Sequence, residues 1–229
     1  MARTIDATTL EDAVVRNCAP TLAGIKPASL FTFPGSFVAC EGVGEATARD
    51  HRARFLQALA PCRAQLAAAG IRERVLVWRG CGALVYVYRP DALERYLADP
   101  RAFWPLAAEG YRVRDLDACL DRLALRLEAR GKRTVRAGDT AEARPCPCGG
   151  PCGAAFPHEL GYFLGYPYAD VAGFIEHGGE GFVLMGPWKV YGDVAGALAA
   201  FARIRDCTDD LIQRYRRGDG LGELAVACA

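Results

Sequence analysis

Two runs of β-branched and aromatic residues constrain the fold of this chain more than any other feature. RVLVWR and ALVYVYR flank Gly80-Cys81-Gly82, an arrangement typical of a β-hairpin. Residues 29–33 form a further extended stretch that follows two prolines. We therefore predict a small, mainly antiparallel sheet that contains the hairpin of residues 75–88.

Helical patterns surround these strands. Thr8 and Glu11 are spaced as a capping box, so a helix is predicted from about residue 9 to Asn17. The next segment, with prolines at 20 and 27 and a glycine at 24, is predicted to be a short helical turn that breaks before residue 29. A second helix, over residues 46–69, is predicted to be interrupted at Pro61. Further helices are predicted over residues 90–98, 115–130, 168–176 and 193–217. The predicted fold class is α+β, or a three-layer α/β arrangement in which helices flank the sheet.

Length and composition allow a substantial core. The chain has 229 residues and is 52% hydrophobic, enough for one domain or two packed lobes. Residues 132–155 lack periodicity and are rich in glycine, proline and cysteine, which is typical of a linker. We predict an N-terminal α/β lobe over residues 1–131. Residues 156–229 are predicted to form a helical lobe with short strands, packed on the first.

The charge balance excludes several classes of partner. A formal net charge of +1 gives no general attraction to nucleic acid or to an anionic membrane. The pattern around residues 160–177 superficially resembles a helix-turn-helix, but its second helix carries Asp170 and Glu176 and no basic residue, which disfavours DNA binding. There is neither a membrane-spanning apolar run nor an export signal, so we expect a cytoplasmic protein.

Ten cysteines are many for a chain of this length in a reducing compartment, and they indicate thiols, metal ligands or redox chemistry. Three of them, Cys146, Cys148 and Cys152, lie in the loop CPCGGPC, six residues before His158. Three thiolates and an imidazole suffice for zinc or for part of an iron-sulfur site. The spacing matches no paired CxxC motif, and the alternative is that these cysteines are incidental. Others, such as Cys62 and Cys119, fit helical patterns as small buried hydrophobes.

A second candidate site combines Cys18 with His158 and Glu159. An imidazole lowers the pKa of a nearby thiol and serves as a general base, and a carboxylate holds its tautomer. His158 and Glu159 follow Pro157 at a predicted helix start. The alternatives are a buried structural cysteine and a solvated helix start.

Residues 156–191 concentrate aromatic side chains that either line a flat cofactor or haem pocket or belong to the core. Lys189 in GPWKVYGD, between aromatic residues, is predicted to bind an anion or carbonyl group if that pocket exists. Otherwise it is a surface lysine. No GxGxxG, P-loop or GxSxG motif supports a nucleotide-dependent enzyme or a hydrolase.

The motifs NCAPTLAGIKPASLF, FPHELGYFLGYPYADVAGFI and GPWKVYGD, with a helix that carries Phe201 and Cys207, resemble the bacterial family known as domain of unknown function 3793 (DUF3793). The resemblance covers most of the chain and is weakest over residues 40–150. It places these residues at family motif positions: Cys18, Lys26, His158, Glu159, Trp188, Lys189, Tyr191 and Cys207. The CPCGGPC loop is not part of the family pattern.

The leading functional hypothesis is a thiol-dependent enzyme that acts on a small anionic substrate. Cys18 is its nucleophile or redox thiol, His158 its base and Glu159 the orienting partner. Lys26, Trp188, Lys189 and Tyr191 are the predicted substrate-binding residues. One alternative is a protein that binds metal, an iron-sulfur centre or haem in iron handling or electron transfer. Another is an interaction module without chemistry.

Overall fold

The computed structural model describes residues 5–131 and 157–226. Within these ranges it has helices and two small antiparallel sheets, which confirms the predicted α+β class. The elements are α1 (Ala7–Leu22), β1 (Ala28–Phe33), α2 (Glu45–Ala68), β2 (Arg72–Arg79), β3 (Gly82–Tyr88), α3 (Pro90–Ala98), α4 (Pro100–Ala108), α5 (Leu116–Gly131), α6 (Leu160–Phe163), α7 (Tyr168–Glu176), β4 (Leu184–Met185), β5 (Lys189–Val190), α8 (Val194–Arg216) and α9 (Leu221–Leu224).

The larger sheet has the order β1-β3-β2, with β3 antiparallel to both neighbours. The hairpin predicted around Gly80-Cys81-Gly82 is confirmed as β2 and β3, with Arg79 opposite Gly82. All seven residues of β3 are buried. A strand buried on both faces requires cover on both faces, so the sheet lies between two layers of helices.

Alternate residues of β3 enter two separate cores. Ala83 and Val85 lie in what we call the α1–α2 core, which α1, α2 and α9 build with Leu211 of α8. Leu84 and Tyr86 lie in the α5–α6 core, which receives side chains from α3 to α7. Because side chains alternate along a strand, the two cores lie on opposite faces of the sheet. Residues from both predicted lobes contribute to each core, and the division into lobes stays a prediction.

The ends and interior of the first two long helices differ from the prediction. Asp6, not Thr8, caps α1, and its side chain accepts a hydrogen bond from the Thr9 backbone N–H at 2.8 Å. Helix α1 continues through Pro20 to Leu22, and α2 continues through Pro61. Both helices bury an apolar stripe along their length, and this packing outweighs the roughly 3 kcal/mol that an internal proline costs.

Later helices follow the sequence more closely. The predicted bounds of α3 and α7 are confirmed, and the Asp193 side chain caps α8 by accepting from the Gly196 N–H at 2.9 Å. Cys62 and Cys119 are fully buried, as predicted for small hydrophobes. The short helix α4 has no counterpart in the prediction. Its signal is Asp99, whose side chain caps the helix directly after α3 ends.

Arg89 joins the ends of three segments. It is buried at the end of β3, and its Nε donates to the Thr21 carbonyl at 2.7 Å. One terminal nitrogen donates to the carbonyls of Leu22 and Val226 at 2.6 and 2.7 Å, and the other donates to Ala69 at 3.4 Å. These carbonyls belong to the last turn of α1, the C-cap of α2 and the C-terminal segment. A guanidinium there satisfies carbonyls that the helices leave unpaired and complements their dipoles.

No helix among the described residues is long and apolar enough to cross a bilayer.

We predict that Arg89→Met destabilises the fold by about 3–5 kcal/mol, because several buried carbonyls lose their donor at once. Arg95→Met is the matched control, since Arg95 is exposed on α3, and it should change stability by less than about 1 kcal/mol. Urea unfolding followed by circular dichroism measures both. Equal stability of the two variants would contradict the structural role of Arg89.

Candidate functional site

A cavity of about 460 Å³ lies between helices α6 and α7 and the β4–β5 hairpin. Its walls come from two separated stretches of the chain, residues 157–178 and 185–189. Most of the surface is apolar, and the few polar side chains are those of His158, Asp170 and Lys189. A concave apolar pocket with a few polar groups is typical of a small-molecule site. The lining residues are Pro157, His158, Leu160, Gly161, Leu164, Tyr166, Asp170, Val171, Phe174, Gly178, Met185, Gly186, Pro187, Trp188 and Lys189.

The turn between α6 and α7 is fixed against the sheet and the loop before β1. Gly165 adopts φ +67°, and a Cβ there would lie 2.3 Å from a Pro27 ring carbon, so only glycine fits this contact. The Tyr86 hydroxyl of β3 donates to the Phe163 carbonyl at 2.5 Å. The Tyr96 hydroxyl donates to the Tyr166 carbonyl on the other side of the turn. The wall formed by α6 and Tyr166 is therefore held by two tyrosine hydroxyls, one from β3 and one from α3.

Asp170 holds the opposite wall in place. It is buried in the first turn of α7, and one carboxylate oxygen accepts from the Trp188 indole N–H at 2.8 Å. The other oxygen accepts from the Tyr191 backbone N–H at 2.8 Å. Both oxygens are thus occupied by the β4–β5 hairpin and its continuation. Sequence reasoning missed this role, and the available signal was a carboxylate at the start of an otherwise apolar helix.

Lys189 and His158 bring basic groups to the cavity without an acidic partner. The Lys189 ammonium donates to the Gly179 carbonyl at 2.6 Å and lies 4.5 Å from the centre of the Phe182 ring. No carboxylate pairs with it among the described residues. The His158 ring meets the Phe174 ring edge-on at 5.2 Å, and neither of its nitrogens has a hydrogen bond within residues 5–131 and 157–226. Both groups retain hydrogen-bonding capacity.

The aromatic residues of this region divide between the cavity and the core. Tyr166, Phe174 and Trp188 line the cavity, and the Tyr166 and Trp188 rings stack at 5.2 Å. Tyr162 and Phe163 are buried in the α5–α6 core. Part of the set thus lines a cavity and part belongs to the core, and a cofactor or haem in that cavity stays a prediction.

Tyr191, a predicted substrate-binding residue, does not line the cavity. Its ring stacks on His177 at 5.6 Å and packs so closely on α7 that a Cβ at Gly173 would lie 2.6 Å from it. The Tyr191 hydroxyl is buried without a hydrogen-bond partner in the described part of the chain. Its backbone contact with Asp170 gives it a structural role at the base of the hairpin.

The buried Glu159 carboxylate is engaged in an ion pair with Arg126. One carboxylate oxygen lies 2.6 Å from Arg126 Nε and accepts from the Tyr111 hydroxyl at 3.0 Å. Burial and the Glu159 charge raise the pKa of the Tyr111 hydroxyl, which therefore stays protonated as a donor. Glu159 thus binds Arg126 of α5 and the Tyr111 hydroxyl, and this geometry does not support its predicted role of orienting His158.

Cys18 lies in the α1–α2 core and has no exposed surface, whereas α6, which follows His158, packs on the opposite face of the sheet. Burial raises the pKa of the Cys18 thiol far above its ordinary value, and the charge of Lys26 only partly opposes this. No hydrogen bond joins Cys18 to His158 among the described residues. The structure does not bring the predicted nucleophile and base together, and their catalytic roles stay predictions that this geometry does not favour.

Lys26 lies next to the cavity wall and not in it. It is half-buried, and its ammonium nitrogen is 4.8 Å from the centre of the Tyr166 ring. Burial lowers the pKa of Lys26 to about 8, and the neighbouring Cys18 acts weakly in the opposite sense. Its predicted role in binding an anionic group stays a prediction.

The predicted metal ligands Cys146, Cys148 and Cys152 lie outside the described residues. Within residues 5–131 and 157–226, no three His, Cys, Asp or Glu side chains come together as a metal site. The zinc, iron-sulfur and haem hypotheses thus gain no support from the described geometry.

Comparison with known proteins gives a family and no activity. A family profile described as "Protein of unknown function (DUF3793)" matches residues 14–225, nearly the whole chain. No curated protein and no solved structure matches the sequence significantly.

If Glu159 is structural, Glu159→Gln should destabilise the protein by about 2–3 kcal/mol, because it leaves Arg126 without its buried partner. Glu109→Gln is a close control. Glu109 pairs with the same arginine, but its side chain is 52% exposed compared with 6% for Glu159. The control should cost less than about 1 kcal/mol in chemical unfolding. Equal effects would show that burial of Glu159 contributes nothing.

Burial of Cys18 predicts that iodoacetamide does not alkylate it in the native protein at pH 7, since reaction requires an accessible thiolate. Cys40 is partly exposed and should react without denaturant. Peptide mass spectrometry in native buffer and in urea separates the two. Rapid native labelling of Cys18 would restore the thiol-enzyme hypothesis.

Proposed function

Because the chain belongs to the DUF3793 family of proteins of unknown function, its activity has to be inferred from its own geometry, and we propose that it binds a small, flat anionic molecule in the aromatic cavity. The observation that carries this proposal is the convergence of two motif segments on one apolar pocket, whose two basic side chains form no ion pair with a carboxylate in the described part of the chain. The pocket volume of about 460 Å³ suits a molecule of one to three rings.

The shape of the ligand follows from the walls. Tyr166 and Trp188 present stacked aromatic rings, and the Phe174 ring also belongs to the lining. Aromatic walls favour flat, largely apolar molecules, because stacking adds about 0.5–1.5 kcal/mol per ring pair to the gain from burial. A planar ring system therefore fits this pocket better than a sugar or a flexible chain.

The charge of the ligand follows from the balance of groups in the lining. The negative charge of Asp170 is directed at two N–H donors of the hairpin. Lys189 uses one of its three donors on Gly179, and neither ring nitrogen of His158 is hydrogen-bonded within the described ranges, residues 5–131 and 157–226. A carboxylate or phosphate near Lys189 would form a charge-assisted hydrogen bond with its ammonium group.

A thiol-dependent reaction gains no comparable support. Cys18 is buried in the other core and Glu159 is paired with Arg126. His158 is the only residue of that predicted set in the cavity lining, where it suits binding or proton transfer to a bound molecule. Binding is thus the function that the cavity favours.

Isothermal titration calorimetry with 1-naphthoate and with the neutral 1-naphthamide tests the proposal. We expect the wild-type protein to bind the carboxylate at least about tenfold more tightly, a difference of about 1.4 kcal/mol. Lys189→Met should remove this preference and leave the affinity for the amide nearly unchanged. Equal binding of both compounds, or an unchanged preference in Lys189→Met, would contradict an anion site.

A pair of blocking variants locates the binding. Met185 lines the cavity and is 68% exposed, and Val183 lies two residues earlier on the same hairpin and is 62% exposed but outside the lining. Met185→Trp should weaken naphthoate binding several-fold, and Val183→Trp should not. Equal effects of the two, or no binding by the wild-type protein, would exclude the cavity as the site.

A further inference from the structure

Lysine is rare in this chain. Of its 28 basic residues, 25 are arginines and three are lysines, namely Lys26, Lys132 and Lys189. Arginine serves almost everywhere that a positive charge is needed. Lysine and arginine side chains differ in one chemical respect. A buried lysine ammonium loses its proton readily and becomes a nucleophilic amine, whereas an arginine guanidinium stays protonated. Each lysine in the described residues is therefore a candidate for amine chemistry.

Lys26 has the surroundings that such chemistry needs. It follows α1 in a segment held firmly on both sides, since the Lys26 backbone N–H donates to the Pro20 carbonyl at 3.0 Å and Pro27 packs against Gly165. The side chain is half-buried and retains some exposure to solvent. The backbone that carries Lys26 is thus held in place, and its side chain is not sealed from solvent.

The Lys26 ammonium also lacks strong stabilisation. No carboxylate pairs with it among the described residues, and its charged group faces the Tyr166 ring at 4.8 Å. A cation–π contact of this kind contributes only about 0.5–1 kcal/mol. The neighbouring Cys18 thiol stays neutral because it is fully buried. These surroundings are consistent with the lowered pKa of about 8, so an appreciable fraction of the amine is unprotonated at neutral pH.

We infer that Lys26 is a nucleophilic amine that forms an imine with small aldehydes. The Lys26 nitrogen attacks the carbonyl carbon and gives a carbinolamine. The carbinolamine then loses its hydroxyl with a nitrogen-bound proton as water, which leaves a C=N bond to the lysine. The reaction needs no oxidant or reductant and reverses on hydrolysis. This site is separate from the ligand of the cavity, although Tyr166 borders both.

Glyoxylate with sodium cyanoborohydride traps the imine as a secondary amine, and peptide mass spectrometry identifies the modified residue. At pH 7 we expect at least tenfold more adduct on Lys26 than on Lys189. The yield at Lys26 should rise with pH as the amine loses its proton, with a midpoint near the pKa of about 8 and a plateau roughly one pH unit higher. Peptide mapping is needed because the α-amino group titrates in the same range.

Lys26→Arg should abolish the adduct at that position and leave labelling of Lys189 unchanged. Circular dichroism tests whether this variant folds. If the variant does not fold, the mapped adduct yield of the wild-type protein and its pH profile are sufficient to test the inference. Equal labelling of Lys26 and Lys189, or a Lys26 yield that rises only near pH 10, would overturn the inference. Neither outcome depends on whether naphthoate binds in the cavity.

Discussion

The rest of the structure depends on the buried guanidinium of Arg89, which links the central strand to two helix ends and to the C-terminal segment. It leaves the end of the central strand and donates to carbonyls at the ends of α1 and α2 and in the C-terminal segment. Helix ends that meet inside a protein need donors for their last carbonyls, and water has little access there. One planar group with five donors meets this need for three segments that are far apart in the sequence.

The second constraint is the burial of β3 on both faces. Because successive side chains alternate, this strand separates the interior into an α1–α2 core and an α5–α6 core. The separation has a functional consequence. Cys18 belongs to the first core, and α6 and α7, which form one wall of the cavity, belong to the second. A thiol on one face of a packed sheet does not reach a base on the other face.

The cavity itself depends on buried polar contacts outside its apolar lining. Tyrosine hydroxyls hold the α6–α7 turn through its carbonyls, and Asp170 holds the β4–β5 hairpin through two N–H donors. The same lining carries the Lys189 ammonium, which uses one of its three donors on the Gly179 carbonyl. The cavity thus holds one carboxylate and one ammonium group, and each is fixed by contacts with its own wall.

The sequence by itself determined the local elements. Alternating β-branched and aromatic residues predicted the hairpin, and proline and aspartate at helix starts predicted α3 and α8, because these signals act over a few residues. Only the tertiary structure decided that α1 and α2 continue through prolines, since the reason is burial against distant strands. It also decided the partners of Glu159, Asp170 and Cys18. Such partners lie far away in the sequence: Tyr111 and Glu159 are 48 residues apart, and Cys18 packs in one core with Leu211. One sequence carries no signal for which long-range pairs form.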